Sequence, residues 1–139
     1  MFFRYNFLSL AWAILILVLS FLPGRDLLNV QIVALDKLVH FIFYLLLFVF
    51  TMYGWRRQLQ ITLLRKVPIA LVWFACILFG IAIEVCQEVF TADRHFDWLD
   101  IMANSMGALA GGMAWYYLLQ EKFLPGGKQA VLQDCFYNV

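Results

Sequence analysis

Four long apolar stretches, separated by short polar segments, dominate the sequence. They run over residues 7–22, 38–53, 67–86 and 98–119. A helix needs about 20 mostly apolar residues to cross the hydrocarbon core of a bilayer. Pro23 and Gly24 follow the first stretch directly, and this pair is typical of a helix end. The pattern therefore predicts four transmembrane helices.

The composition agrees with a membrane protein and excludes most other classes. Of the 139 residues, 65% are hydrophobic and 14% are charged, whereas soluble domains are about 45–50% apolar and about 25% charged. We expect an all-α polytopic membrane protein, with one four-helix domain over residues 1–124 and a short cytoplasmic tail over residues 125–139. The net charge of +1 provides no field that would attract nucleic acid, so we expect no nucleic-acid partner.

The distribution of basic residues predicts the orientation of the helices. Short loops rich in Lys and Arg stay on the cytoplasmic side of a membrane. Four alternating helices place most of the basic residues on one face, namely Arg4, Arg56, Arg57, Arg65, Lys66, Lys122 and Lys128. The opposite face receives only Arg25, Lys37 and Arg94. The sequence therefore predicts a compact bundle with both termini in the cytoplasm.

Polar residues gather at the outer ends of three of the predicted helices. The candidate site residues are Asp36, Lys37, His40, Glu84, Gln87, Arg94, Asp97, Asp100 and Asn104. Residues three or four apart share a helix face, and an ionisable group at a helix centre costs about 2.5–3.5 kcal/mol in a membrane. Glu84 and Asn104 should therefore face the bundle interior. Gly107 and Gly111 permit close helix approach beneath them, which predicts a tight bundle that opens into an outward-facing polar pocket.

The charges of this pocket do not balance. Its carboxylates are Asp36, Glu84, Glu88, Asp93, Asp97 and Asp100. The fixed cations on the same side are Lys37 and Arg94. Repulsion among buried carboxylates implies a third component. Shared protons, a divalent cation held by carboxylates and His40, and a cationic group on a ligand are all open alternatives.

Several of these residues also have purely structural interpretations. Asp36 and Asp97 could each cap the N-terminus of a helix. His40 could hydrogen-bond a backbone carbonyl, and Arg94 could pair with a neighbouring acid. Glu84 is the hardest to explain in this way, because it lies within an apolar run where neither solvent nor a helix cap would account for it.

The order and spacing of the polar residues resemble those of the VanZ-like family of small bacterial membrane proteins. The motifs that carry the resemblance are Asp36-Lys37-x-x-His40-Phe41-x-x-Tyr44, Gly80-x-x-x-Glu84-x-x-Gln87 and Arg94-x-x-Asp97-x-x-Asp100-x-x-x-Asn104-x-x-Gly107-x-x-x-Gly111. The founding member of the family is associated with resistance to the glycopeptide teicoplanin. The resemblance implies residence in the bacterial cytoplasmic membrane and a link to the cell envelope or to antibiotics, and it implies no mechanism.

Three hypotheses of function follow. In the first, the pocket recognises, and in one version modifies, an envelope lipid, a lipid-linked precursor or a lipoglycopeptide such as teicoplanin, and so gives antibiotic resistance. In the second, the chain is a metal-dependent membrane hydrolase or transferase that acts on a lipid-linked phosphate or glycosyl bond. In the third, the polar residues serve helix packing or assembly. The sequence is compatible with catalysis or with binding alone, and with a monomer or a homo-oligomer.

The first hypothesis assigns roles to individual side chains. Arg94 and Lys37 would hold a phosphate or carboxylate of the ligand. Glu84, Asp97 and Asp100 would hold amines, sugar hydroxyls or a metal ion. In the second hypothesis, the two aspartates would ligate a divalent metal and the glutamate would act as acid or base.

Overall fold

The computed structural model describes residues 2–21, 33–57, 67–91 and 96–119. These residues form helices α1 (Phe2–Ser20), α2 (Val33–Arg56), α3 (Ile69–Phe90) and α4 (Trp98–Ala114), followed by a π-helical turn (Trp115–Leu119). Within these ranges there is no β-strand, so the described chain is all-α as predicted. The predicted tail, residues 125–139, and the candidate residue Arg94 lie outside the described residues.

The four helices match the four predicted stretches, but their ends differ. Helix α2 begins at Val33 instead of residue 38, and α3 ends at Phe90 instead of residue 86. Polar side chains at both of these ends contact neighbouring helices: Lys37 binds Asp100 of α4, and Gln87 binds the Ser20 carbonyl of α1. An apolar run therefore marks the expected hydrocarbon span and not the end of the helix.

Three of these helices are long and apolar enough to cross a membrane. The most apolar stretches of α1, α2 and α3 have mean hydropathies of 1.8, 1.9 and 2.5. Large apolar side chains cover their outer surfaces; Phe7, for example, is 70% exposed. Soluble monomers rarely expose contiguous apolar surface of this kind, whereas lipid accommodates it.

Helix α2 lies at the centre of the bundle and packs most closely against α4. A Cβ atom at Gly107 would overlap the backbone carbonyl of Phe41, and one at Gly111 would lie 2.7 Å from the carbonyl oxygen of Leu45. Only glycine permits the two backbones to approach this closely. The predicted role of the glycine pair in packing is thus observed, and both glycines face α2 within the same chain.

Successive helices alternate in direction, which brings the C-terminal ends of α1 and α3 to the same level as the N-terminal ends of α2 and α4. The indole of Trp12 on α1 donates a hydrogen bond to the carbonyl of Phe43 on α2, at 2.9 Å. At the C-terminal end of α1, the Gln87 amide donates to the carbonyl of Ser20, at 2.7 Å. The bundle core is apolar and includes Tyr44, Phe48, Met52, Val72, Ala108 and Trp115.

Candidate functional site

Lys37 is the centre of a polar cluster at one end of the bundle. Its ammonium nitrogen lies 3.2 Å from Asp36 Oδ2, 2.6 Å from Asp97 Oδ2 and 2.5 Å from Asp100 Oδ1. Lys37 and Asp36 occupy the first turns of α2, whereas Asp100 lies in the first turn of α4. The lysine therefore joins these two helices through charge-assisted hydrogen bonds. We use the name polar cluster for Asp36, Lys37, His40, Glu84, Asp97, Asp100 and Asn104.

Asp97 both caps a helix and binds the lysine. One carboxylate oxygen accepts the backbone N–H of Leu99 at 2.8 Å, so this residue is the N-cap of α4. The hydrogen bond from Lys37 and the one from Leu99 hold the pKa of the Asp97 carboxyl below its usual range. Asp36 is not an N-cap, because α2 already begins at Val33.

His40 pairs with a side chain and not with a backbone carbonyl. Its Nδ1 atom lies 3.1 Å from the amide oxygen of Asn104. An amide oxygen only accepts hydrogen bonds, so Nδ1 carries the proton in this pair. When the imidazole is neutral, Nε2 then has a free lone pair. This second nitrogen lies 4.0 Å from Asp36 Oδ1 and 3.9 Å from Asp100 Oδ1.

Glu84 provides a buried carboxylate beneath the ion pairs. The side chain is on α3 and only 1% of the residue is exposed. One of its oxygens accepts the backbone N–H of Asp97 at 3.4 Å, and the other has no hydrogen-bond partner. The hydroxyl of Tyr44 is also buried without a partner. A buried polar atom left unsatisfied costs about 1–3 kcal/mol, so such atoms call for an explanation beyond packing.

A glycine makes room beside these two unpartnered groups. A Cβ atom at Gly80, one helical turn before Glu84, would lie 3.1 Å from Asn104 Nδ2 and 3.3 Å from the hydroxyl oxygen of Tyr44. Tyr44 was not among the predicted site residues, although it follows His40 by four residues and so shares its helix face. The four-residue spacing from His40 was the feature of the sequence that could have identified Tyr44 as a site residue.

Of the two remaining predicted site residues, the structure describes one, Gln87, and it lies apart from the polar cluster. Gln87 shares a face with Glu84, but its amide donates to the carbonyl of Ser20. That carbonyl belongs to the last turn of α1, where a helix leaves its carbonyls without internal partners. Gln87 therefore ties α3 to α1. The other residue, Arg94, lies outside the described part of the chain.

One cavity among the described residues lies away from the polar cluster. It is an open groove of about 290 Å³ beside the second half of α4. Its lining is almost entirely apolar and consists of Phe48, Ile69, Trp73, Ala108, Leu109, Gly112, Met113, Tyr116 and Tyr117. In the polar cluster, by contrast, Lys37 already occupies the space between three carboxylates.

The apolar helices and the buried charges at their ends together define the class of this protein: a multi-pass α-helical membrane protein with a polar site between helices. The chain belongs to the VanZ/LLP1 family, whose family model matches residues 2–120. This match confirms the resemblance that the motifs indicated and extends it to α1. No curated protein and no solved structure matches the chain.

Proposed function

We propose that the protein spans the bacterial cytoplasmic membrane four times, with both termini in the cytoplasm and the polar cluster at the outer face. The excess of Lys and Arg on the other face supports this orientation. Exposed apolar residues also follow one face of α4 at alternating spacings of three and four, as a lipid-facing stripe would; they are Leu99, Met102, Met106, Leu109 and Met113. Together, α4 and the π-helical turn cover residues 98–119, which is long enough for a span.

The orientation has a direct test. Green fluorescent protein fused after residue 139 should fluoresce, because it folds on the cytoplasmic side and fails to fold when exported unfolded. A fusion that is present in the membrane but dark would contradict the proposal.

We propose further that the polar cluster recognises the head of an envelope amphiphile, which is an envelope lipid, a lipid-linked precursor or a lipoglycopeptide such as teicoplanin. The observation that carries this proposal is the buried Glu84 carboxylate, which has an oxygen without a partner beside an acid-rich group. A ligand that contributes hydrogen-bond donors would satisfy this oxygen. Binding of this kind is sufficient to protect a cell if it sequesters the antibiotic or shields its target.

The contacts of Lys37 favour a particular chemistry for the ligand head. The ammonium group is shared among Asp36, Asp97 and Asp100. Lys37 is therefore already paired with carboxylates of the protein, and its contacts do not favour a ligand phosphate at this residue. The carboxylates of the polar cluster outnumber its lysine, so the ligand groups that would complement the cluster are amines and sugar hydroxyls.

The described contacts of His40 include no hydroxyl or thiol nucleophile. A serine, threonine or cysteine nucleophile is activated by a base within hydrogen-bond reach. In the described ranges, the polar contacts of His40 are with Asn104, Asp36 and Asp100. No serine, threonine or cysteine is among them, so these contacts favour recognition over a mechanism with a hydroxyl or thiol nucleophile.

Antibiotic susceptibility tests this proposal. The chain is expressed in a teicoplanin-susceptible Gram-positive bacterium, and the minimal inhibitory concentration is compared with that of the empty vector. We expect the wild type to raise this concentration and Glu84→Gln to return it to the vector level. Glu88→Gln is the matched control, since Glu88 lies one turn further along α3 and accepts the backbone N–H of Phe96 at 2.7 Å. This control should protect like the wild type.

Immunoblots of membrane fractions establish that the variants are present in equal amounts. If Glu84→Gln protects as well as the wild type at equal membrane level, the proposed role of the cluster is wrong. A wild type that gives no protection against any of the lipoglycopeptides tested would also count against it.

A further inference from the structure

Three potential metal ligands meet at the outer edge of the polar cluster. Asp36, His40 and Asp100 each offer one ligand atom, and these atoms all lie within 4.8 Å of one another. We propose that they bind a divalent transition-metal ion of the Zn²⁺ or Mn²⁺ type. This inference deepens the proposed recognition function and rests on it, because the ion would belong to the same site that receives the amphiphile.

The separations within this group suit metal ligands better than hydrogen bonds. His40 Nε2 lies 4.0 Å from Asp36 Oδ1 and 3.9 Å from Asp100 Oδ1. Hydrogen bonds between nitrogen and oxygen are about 2.7–3.2 Å long, so neither contact is one. With metal bonds of about 2.0–2.2 Å, two ligands of one ion lie about 3 Å apart at a right angle and about 4.2 Å apart on opposite sides. The two separations from His40 fall between these limits, and the three ligand atoms all lie within 4.8 Å of one another.

The orientation of His40 supports the same conclusion. Histidines that bind metals usually donate their other ring N–H to an oxygen, which fixes the tautomer and the direction of the ring. Here the oxygen is Oδ1 of Asn104, a residue that is 2% exposed and held on α4. The Nε2 lone pair is thereby directed toward the carboxylates of Asp36 and Asp100. Lys37 already contacts both carboxylates, and Asp100 Oδ1 is the atom that it contacts, so an ion held by His40 would share Asp100 with the lysine.

The buried carboxylate of Glu84 is a second, independent observation that indicates a ligand. It comes from a third helix, is almost completely buried, and has one oxygen without a partner. Glu84 is not one of the three residues whose ligand atoms meet, so its carboxylate would act on the ion through its charge. If all four carboxylates of the cluster are ionised, Lys37 leaves three negative charges, and a divalent ion would reduce these to one.

The mixed set of ligands selects the type of ion. Ca²⁺ and Mg²⁺ prefer oxygen ligands throughout. An imidazole nitrogen together with carboxylates suits Zn²⁺ and Mn²⁺, and for such a set Zn²⁺ binds more tightly than Mn²⁺.

Calorimetric titration of the full chain in lipid nanodiscs tests the inference without any amphiphile. The titrants are ZnCl₂ and MnCl₂, with MgCl₂ for comparison. We expect one Zn²⁺ per chain, weaker binding of Mn²⁺ and still weaker binding of Mg²⁺. His40→Gln and Asp36→Asn should weaken Zn²⁺ binding at least tenfold, and Asn104→Ala should weaken it about 10- to 100-fold through the loss of ring orientation.

Matched variants exclude other sites and folding defects. His95→Gln removes the only other histidine of the chain and should bind Zn²⁺ like the wild type. Asp36 is suitable as a ligand variant because its side chain is 54% exposed, so that Asp36→Asn should leave the thermal unfolding temperature nearly unchanged. Wild-type protein that binds neither Zn²⁺ nor Mn²⁺ would overturn the inference. So would His40→Gln and Asp36→Asn proteins that bind Zn²⁺ as tightly as the wild type.

The two proposals can fail separately. If the wild type binds no ion but Glu84→Gln still abolishes protection against the antibiotic, the metal site is wrong and the recognition site stands. If Zn²⁺ binding depends on His40 but Glu84→Gln protects normally, the recognition function is wrong and the metal site stands.

Discussion

Replacing Glu84 with glutamine should stabilise the protein while it removes function. The residue is 1% exposed and one carboxylate oxygen has no partner. An unsatisfied buried acceptor costs about 1–3 kcal/mol, and more if it is charged. Glutamine has nearly the same shape and can still accept the backbone N–H of Asp97. It replaces the unpartnered charged oxygen with a neutral NH2 group, whose unmet hydrogen bonds cost less than those of a charged group. We therefore expect the free energy of unfolding to rise by about 1–3 kcal/mol.

A gain of this size should raise the melting temperature by at least about 3 °C for a chain of this length. The assay is thermal unfolding in nanodiscs at pH 7, followed by tryptophan fluorescence. Glu88→Gln is the control and should shift the free energy by no more than about 0.5 kcal/mol, since that residue is exposed. A lower melting temperature for Glu84→Gln, or less protein in the membrane, would refute the reasoning and show that the carboxylate serves helix packing.

Three further predictions concern other parts of the bundle. Gly107→Ala should destabilise the protein by about 1–3 kcal/mol in the unfolding assay or prevent its accumulation, because the methyl group would overlap the backbone of α2. Gly112→Ala is the control and should be tolerated in the same assay, because its methyl group would lie 3.4 Å from the nearest atom. Gln87→Ala should lower stability by about 1–3 kcal/mol, since the Ser20 carbonyl loses its donor, and leave protection against the antibiotic unchanged in susceptibility tests. The pKa of the Asp97 carboxyl is lower in the folded state than its unfolded-state value of 3.8. Its contribution to stability is therefore present above pH 3.8 and is lost as the pH falls through the folded-state pKa. Unfolding measured between pH 6 and pH 2 should show this loss in the wild type and a smaller loss in Asp97→Asn.

These outcomes distinguish a binding site from a structural cluster. In a structural cluster, each polar residue would contribute to stability and its replacement would reduce the amount of folded protein. In a binding site, some residues are held in an arrangement that is unfavourable until the ligand arrives. Glu84 is expected to show the second behaviour and Gln87 the first, although they lie three residues apart on one helix.

The sequence by itself determined the helices and the family. A span of the bilayer requires a certain length of apolar residues, which is a local property of the chain. A helix was found at each of the four predicted stretches, and three of the helices are long and apolar enough to span. The spacing of polar residues by three and four placed them on common faces, since the helical period is fixed. The glycine pair of α4 indicated close packing because no other residue lacks a Cβ atom.

Only the tertiary structure decided which polar groups meet. The rotation and depth of each helix determine its contacts, and these depend on all the packed side chains together. Lys37 was expected to face a ligand anion, yet α4 brings two carboxylates onto it. Gln87 was expected in the cluster, yet the end of α1 lies nearer. His40 was open to a backbone partner, and the approach of α2 to α4 supplied Asn104 instead.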